Sequence, residues 1–327
     1  MIHVKRAGLL TTVQDTGRRG MQQHGVVTAG AMDPIAHRVA NLLVGNPADC
    51  ASLECTIIGP WLEFRDDAAV AVTGGDFAAT LNDQPTPPWC AFPVRRGDVL
   101  ALGTARTGCR AYIACSGGID VPRVLGSRST DLIAHMGGKD GRALLRDDVL
   151  ECRKPDRHAS RIRDLLLESP SHARAAGRSL RPPYGPEPVV RMVRGPEHDA
   201  FNAASRDRLV TAAFQVTPQS NRMGVRLRGP ALALDRAYEM LSSPVAGGTI
   251  QVPPSGEPVV LMADHQTIGG YPRIGNVIST DLPLLAQAPP GTLVRFREVS
   301  IEEAQAQYLS VERDLRTFAE ALRLRYQ

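Results

Sequence analysis

The chain of 327 residues is long enough for two domains of ordinary size, each with its own hydrophobic core. Its formal net charge of +4 is mild and its arginines are scattered, which argues against a nucleic-acid partner, because such partners need a dense basic surface. No apolar run approaches the length that spans a bilayer, and the first residues lack the pattern of a secretory signal, so we expect no membrane partner and a cytoplasmic location.

Short runs of Val, Ile and Leu bounded by Gly, Pro, Asn and Asp recur along most of the chain. Together with 30 glycines, 25 prolines and few aromatics, this pattern predicts a mainly β protein of barrels or sandwiches with a few helices. Six cysteines without a CxxC pair indicate reduced core residues rather than a disulfide framework.

The opening segment, Ile2 to Val13, alternates enough to predict a single strand. It leads into Gln14 and Asp15, which begin a polar loop rich in glycine. Loops held by a rigid scaffold are common places for binding and catalytic side chains, so these two residues are candidates for a site.

A helix is predicted next, because Asp33 can cap its free amides and Pro34 suits the first helical position. His37 and Asn41 lie one turn apart on this helix, away from its apolar stripe. They face either solvent or another polar surface, and the neighbouring glycine loop favours a site.

A segment rich in Arg, Ser and Pro, Lys154 to Glu187, predicts a linker with at most a helical turn at Leu165 to Leu167. The expected domains are therefore a first β-barrel (1–155), the linker (156–187), a second β-barrel (188–298) and a C-terminal helix (299–327).

The C-terminal helix begins at a capping box formed by Ser300 and Glu303. The apolar residues that follow at helical spacing predict one buried face, packed on the core or on another chain; they are Ile301, Ala304, Tyr308, Val311, Leu315, Phe318 and Leu322.

In the second half, Asn221 and Arg222 stand beside the helix-breaking Gly224. An arginine there can grip a ligand carboxylate or phosphate at two points, or it can pair with a neighbouring carboxylate for structural reasons.

The most informative stretch runs from Val259 to Asp281, where a short buried strand is followed by Asp264, His265 and Gln266. The sequence Gly-Gly-Tyr-Pro comes next and forces a sharp turn that holds Tyr271. Two of its glycines echo Gly20 and Gly25 at one constant offset, which favours two related β domains.

Five long motifs follow one another between Met1 and Phe296: TTVQDTGRRG, GAMDPIAHRVANLLVGN, GGIDVPRVLGSRST, SNRMGVRLRG and SSPVAGGTIQVPPSGEPVVLMADHQTIGGYPRIGNV. In this order they resemble the family of 5-oxoprolinase C subunits, also named allophanate hydrolase subunit 2, KipA-like or biotin-dependent carboxyltransferase. The resemblance implies two cyclophilin-like β-barrel domains in one chain. It also implies a complex with two further proteins, a KipI-like B subunit with an A subunit of the LamB/YcsF type.

The activity that this resemblance implies is the opening of 5-oxo-L-proline to L-glutamate at the expense of ATP. The candidate catalytic residues are Asp264 and His265, which can move a proton, and Gln266, whose amide both donates and accepts. The candidate substrate-binding residues are Gln14, Asp15, Asn41, Asn221, Arg222 and Tyr271. The chain has no GxxxxGK[ST] loop and no His/Cys spacing for a metal, so we expect ATP to be shared with partner proteins and no metal site.

Two alternatives remain open within the same resemblance. One is a biotin-dependent carboxyltransferase component acting on urea or a similar amide. The other is a non-enzymatic antagonist that binds a KipI-like kinase inhibitor. Each shares a protein partner with the first interpretation, so partner binding is common to them.

Overall fold

The computed structural model describes residues 1–236 and 240–327. The chain divides into two compact units. Unit 1 comprises Met1–Arg18, Ala29–Pro182 and Arg313–Gln327, and unit 2 comprises Arg19–Thr28 and Pro183–Glu312. Among the described residues, the search for a helix both long and apolar enough for a bilayer finds none.

The strands of unit 1 form two sheets. In chain order they are β1 (Ile2–Arg6), β2 (Leu10–Gln14), β3 (Ser52–Thr56), β4 (Trp61–Phe64), β5 (Ala68–Asp76), β6 (Thr80–Leu81), β7 (Gln84–Pro85), β8 (Cys90–Val94), β9 (Val99–Ala101), β10 (Thr107–Cys115), β11 (Ile119–Asp120) and β12 (Val149–Cys152). One sheet has the order β11-β12-β1-β4-β9-β6-β7 and the other has the order β2-β3-β10-β5-β8.

Unit 2 is built on a closed barrel with the order β13-β20-β17-β18-β15-β14-β21, and β16 pairs with β19 beside it. Its strands are β13 (Val189–Arg194), β14 (Ala213–Val216), β15 (Gly224–Arg228), β16 (Ser243–Pro244), β17 (Thr249–Gln251), β18 (Val259–Leu261), β19 (Ile268–Gly269), β20 (Arg273–Val277) and β21 (Leu293–Glu298). The parallel pairing of β13 with β21 closes the barrel.

The α-helices are α1 (Pro34–Leu43), α2 (Arg157–Glu168), α3 (Ala203–Thr211), α4 (Leu282–Ala286) and α5 (Ile301–Arg325). Single turns of 3₁₀ helix occupy Gln22–His24, Pro170–His172, Arg178–Leu180 and His198–Ala200. The predicted mainly β class and the C-terminal helix are both confirmed.

The predicted single opening strand is wrong, because the chain changes sheet between β1 and β2. The break falls at Gly8, which has a φ of 77°. A side chain there would place its Cβ only 2.3 Å from the carbonyl oxygen of Ile58, so glycine is required by both backbone conformation and space.

The segment rich in Arg and Pro contains a twelve-residue helix, α2, rather than a single turn. Asp156 caps it by accepting a hydrogen bond of 2.8 Å from the amide of Ala159. Its buried face is narrow and consists of Ala159, Ile162 and Leu166, which explains why the surrounding arginines obscure it in the sequence.

Helix α5 starts at the predicted capping box, since Ser300 and Glu303 exchange backbone-to-side-chain hydrogen bonds of 3.2 and 3.1 Å. Within this chain, the predicted burial on the core holds for only part of the helix face, and the alternative of burial on another chain stays a prediction. Leu315 and Leu322 are buried, but Ile301 is 60% exposed near the start of the helix.

Candidate functional site

The loops that follow β14 and β18 are held together by a buried ion pair. The Nε and Nη2 atoms of Arg222 donate to the two carboxylate oxygens of Asp264, each at 2.8 Å. The amide of Asp264 also donates to the carbonyl of Arg222 at 2.9 Å. Both side chains are about 6% exposed, so this pair fixes where the polar loop after β18 begins.

His265 is buried and its ring orientation is set by its own loop. Its Nδ1 lies 2.6 Å from the carbonyl oxygen of Gln266. A carbonyl oxygen can only accept, so Nδ1 carries a proton, and the tautomer that fits this contact has its lone pair on Nε2. Gly247 lies beside the ring, and a Cβ built there would be 3.9 Å from Nε2. The geometry therefore presents Nε2 as a proton acceptor.

Gln266 belongs to a chain of amides in the same unit. Its Nε2 donates to Oε1 of Gln251 at 3.4 Å, and Nε2 of Gln251 lies 3.5 Å from the carbonyl of Tyr271. A Cβ at Gly269 would come within 2.4 Å of Gln251 Nε2, so the glycine makes room for this buried amide. The side chain of Tyr271 is itself 46% exposed.

The predicted residue Asn221 shapes the loop of Arg222. Its Oδ1 accepts from the amides of Met223 at 2.8 Å and Gly224 at 3.3 Å. This is an Asx turn, in which an asparagine side chain replaces a backbone acceptor.

A groove of about 480 Å³ lies on unit 2 and includes Gly247. Its other walls include Asn276 of β20 and the first turns of α5, with Ile301 and Tyr308. The groove accounts for the exposed start of α5, because these apolar side chains face it rather than a filled core.

In unit 1, Asp15 clamps a neighbouring loop. Its carboxylate accepts from the hydroxyls of Ser127 and Ser129 and the amide of Arg128, each at 2.6 Å, and from the amide of Gly17 at 2.8 Å. Burial acts to raise the pKa of Asp15, but these hydrogen bonds outweigh it and hold the pKa below its ordinary value. Asp15 is therefore an ionised structural anchor.

Asn41 has a similar anchoring role at the end of α1. Its Nδ2 donates to the carbonyl of Cys50 at 2.9 Å, and its Oδ1 accepts from Nδ2 of Asn46 at 3.0 Å. The side chain is fully buried, so the face of α1 that carries His37 and Asn41 packs inward rather than toward solvent.

The inward face of α1 covers a row of buried polar side chains. Thr12, Glu54, Tyr112 and Thr73 lie directly opposite one another on β2, β3, β10 and β5. The Tyr112 hydroxyl donates to Glu54 at 2.7 Å. The adjacent row, with Val13, Leu53, Ile113 and Val72, faces the hydrophobic core, so this sheet has one polar and one apolar face.

His37 and Gln14 meet the same polar face. Nδ1 of His37 lies 2.8 Å from the hydroxyl of Ser52, which is directly opposite Gln14 in the sheet. Burial lowers the pKa of His37 to about 4, so its ring is neutral at pH 7. Gln14 donates to Thr12 and to the carbonyl of Thr130, at 3.1 and 3.2 Å.

The predicted site residues thus fall into two groups. Arg222, Asp264, His265 and Gln266 lie together in unit 2, and Asn221 and Tyr271 belong to the same unit. Gln14, Asp15 and Asn41 lie in unit 1. The expectation that both groups line one cleft stays a prediction.

Sequence reasoning misses two buried polar residues. Gln251 and Glu54 each lie in a short strand with an apolar residue on either side, and a lone amide or acid between two apolar residues is the signal that could have found them. Within residues 1–236 and 240–327, the side chains form no cluster of three or more His, Cys, Asp or Glu that could hold a metal ion.

Comparison with known proteins agrees with this architecture. Residues 24–298 match the family model described as carboxyltransferase domain, subdomain A and B. The chain is 40% identical over 307 residues to the 5-oxoprolinase C subunit of Escherichia coli, with 93% of each chain covered. It is 36% identical over 304 residues to the 5-oxoprolinase C subunit of Haemophilus influenzae, again with 93% of each chain covered.

A solved structure, the urea carboxylase of Kluyveromyces lactis, has a TM-score of 0.89 and 32% sequence identity. The match covers 97% of this chain and 29% of the yeast chain, so this chain corresponds to one part of that larger protein. By family model and by sequence identity over nearly its full length, the chain belongs to the carboxyltransferase domain family, subdomain A and B.

Proposed function

We propose that this chain is the C subunit of a 5-oxoprolinase complex, which opens 5-oxo-L-proline to L-glutamate at the expense of ATP together with its A and B subunits in the cytoplasm. The observation that supports this most is the match to two proteins named as C subunits of 5-oxoprolinase, over 93% of their own length. A match that spans whole relatives is stronger support than a match to one part of a larger enzyme.

The site of this activity is proposed to lie on the loop after β18. Nε2 of His265 takes a proton from the attacking water, since its lone pair is available in the tautomer that Gln266 selects. The amide of Gln266 binds the lactam amide. Asp264, whose two oxygens are engaged by Arg222, holds the loop in place rather than moving protons.

The unit 1 residues take supporting roles in this proposal. Asp15 anchors the loop around Arg128, and Asn41 anchors the end of α1. Gln14 is fully buried and its Oε1 has no hydrogen-bond partner among the described residues, so its contact with an amide substrate requires the residues that cover it to move aside. Asn221 and Tyr271 shape the edge of the unit 2 loops.

ATP is proposed to bind mainly on the partner proteins, because this sequence carries no GxxxxGK[ST] phosphate loop. The test is reconstitution of the three purified proteins with 5-oxoproline and ATP. The expected result is equimolar glutamate and ADP from the full mixture, and neither product from this chain alone. A full mixture that hydrolyses ATP without releasing glutamate would refute the substrate assignment.

A second candidate is carboxyl transfer from carboxybiotin to urea or a similar amide, which the family model and the Kluyveromyces lactis structure favour. The same preparation should then carboxylate urea when supplied with carboxylated biotin. Product from urea and none from 5-oxoproline would replace the first proposal with this one.

A further inference from the structure

Two cysteines of unit 1 lie in direct contact. The Sγ atoms of Cys115 and Cys152 are 3.0 Å apart, although the residues are 37 positions apart in the chain. A disulfide bond is about 2.05 Å long, so the two sulfur atoms need to approach each other by only about 1 Å to reach bonding distance. The two thiols are therefore placed close to bonding distance by the surrounding fold.

The contact joins the two sheets of unit 1. Cys115 ends β10 in the five-stranded sheet, and Cys152 ends β12 in the seven-stranded sheet. The turn between β10 and β11 brings them together, because Ile119 of β11 pairs directly with Cys152. Both backbones are thus fixed by regular pairing, so the thiol positions do not depend on a free loop.

We propose that Cys115 and Cys152 form a reversible disulfide when the protein meets hydrogen peroxide, and that this bond staples the two sheets of unit 1. The proposal is independent of the catalytic activity proposed above. The pair also differs from Cys55 and Cys90, since each of those thiols donates to a backbone carbonyl rather than to another thiol.

The chemistry begins at Cys152, which is partly exposed, whereas Cys115 is buried. The two thiols share a hydrogen bond in which either sulfur can donate, and this contact with Cys115 lowers the pKa of Cys152 from its ordinary value, which favours the reactive thiolate there. The Cys152 thiolate attacks one peroxide oxygen, the O–O bond breaks, and the departing hydroxide takes a proton to become water.

The resulting sulfenic acid is resolved by its neighbour. Sγ of Cys115 attacks Sγ of Cys152, the S–O bond breaks, and a second water leaves with the Cys115 proton. In sum, two thiols and one hydrogen peroxide give one disulfide and two waters. The peroxide is reduced and the two sulfurs are oxidised.

The cysteine pair is also connected to the end of α1. The carbonyl of Cys115 accepts from Nδ2 of Asn46 at 2.8 Å, and the same amide donates to Asn41. Oδ1 of Asn46 accepts from the amide of Gly117 in the turn after Cys115. A disulfide at Cys115 would therefore stiffen the region that anchors Asn41.

The test is disulfide mapping of the wild-type chain. The protein is treated with hydrogen peroxide, remaining thiols are alkylated under denaturing conditions, and the proteolytic peptides are identified by mass spectrometry. We expect the loss of two thiols per chain and a cross-linked peptide that joins Cys115 to Cys152. Dithiothreitol should restore both thiols, and the oxidised protein should melt roughly 5 °C higher.

Two variants sharpen the result. Cys90→Ala removes another buried thiol and should leave the cross-link intact. Cys115→Ser should abolish it and let Cys152 proceed to sulfinic acid, because no resolving thiol remains. The proposal is overturned if wild-type Cys152 stays free or becomes sulfinic under peroxide, or if its cross-link runs to Cys50.

Discussion

Arg222 and Asp264, 42 positions apart in the chain, form a two-point ion pair that is almost fully buried. The backbone beside them is paired as well, since the amide of Asp264 donates to the carbonyl of Arg222. The pair thus connects the loop after β14 to the loop after β18, and it sets the position of the neighbouring His265 and Gln266.

Breaking this pair should cost about 3 to 5 kcal/mol of unfolding free energy, because the remaining charge would be buried without its counterion. We expect this loss for Asp264→Asn, measured by urea unfolding at pH 7. Arg194→Ala is the matched control, since its partner Glu298 is exposed and the pair should contribute less than about 1 kcal/mol. Equal losses in the two variants would contradict a structural role for Arg222 and Asp264.

His265→Gln should separate catalysis from folding. Glutamine keeps a polar side chain of similar size but cannot accept a proton near neutral pH, so kcat for glutamate formation should fall by about 100-fold or more. The melting temperature should stay close to the wild-type value. His24→Gln, at an exposed position of the same unit, should leave both quantities unchanged. A variant with wild-type kcat would remove His265 from the proposed mechanism.

Asp15→Asn should destabilise unit 1, although asparagine and aspartate side chains are of nearly equal size. The new amide directs N–H groups at the hydroxyls of Ser127 and Ser129 or at the amide of Arg128, where acceptors are needed, at a cost of about 3 kcal/mol. Since the folded pKa of Asp15 is lowered, its stabilisation exists above its unfolded pKa of 3.8 and disappears as pH falls below that value. Urea unfolding measures both effects.

The matched control for Asp15 is Asp207→Asn, because Asp207 is an exposed aspartate on α3. Its unfolding free energy should change by less than about 0.5 kcal/mol. If Asp15→Asn changes the unfolding free energy as little as this control does, the hydrogen bonds of Asp15 to the Ser127–Ser129 loop do not stabilise the fold.

His37 should make the protein less stable in mild acid. Its folded pKa of about 4 is below the ordinary value of 6.5, so the unfolded chain takes up a proton that the folded chain refuses. This difference in proton uptake does not change the free energy of unfolding well above pH 6.5, and it lowers that free energy by about 2 kcal/mol at pH 5. Wild-type and His37→Gln proteins are compared by urea unfolding at pH 7 and pH 5.

The difference between those two proteins isolates His37 from the other titrating groups. The wild-type protein should lose about 2 kcal/mol more than the variant between pH 7 and pH 5. Parallel losses would show that the His37 ring can take up a proton in the folded state.

Features with a local chemical cause could be predicted from the sequence. Asp33 and Pro34 start α1, and the Asp33 carboxylate accepts from the amide of Ala36 at 3.0 Å as a cap should. Ser300 and Glu303 start α5 for the same reason. The strand β18 is also predicted correctly as a short apolar strand that is followed by polar side chains.

Features that depend on distant partners could not be predicted. Glu54 is buried because Tyr112 and the amide of Met32 satisfy it, and neither partner is near it in sequence. Ile301 lines a groove that residues of β20 also line, and the sequence around Ile301 gives no sign of that groove. Periodicity identifies which face of an element is apolar, but it does not identify what that face meets.

The central claim, that this chain completes a 5-oxoprolinase, is tested most directly by titrating it into a fixed mixture of the A and B subunits with 5-oxoproline and ATP. The initial rate of glutamate formation should rise in proportion to added chain and reach a plateau at a fixed stoichiometry. A glutamate rate that is the same with and without this chain would contradict the account.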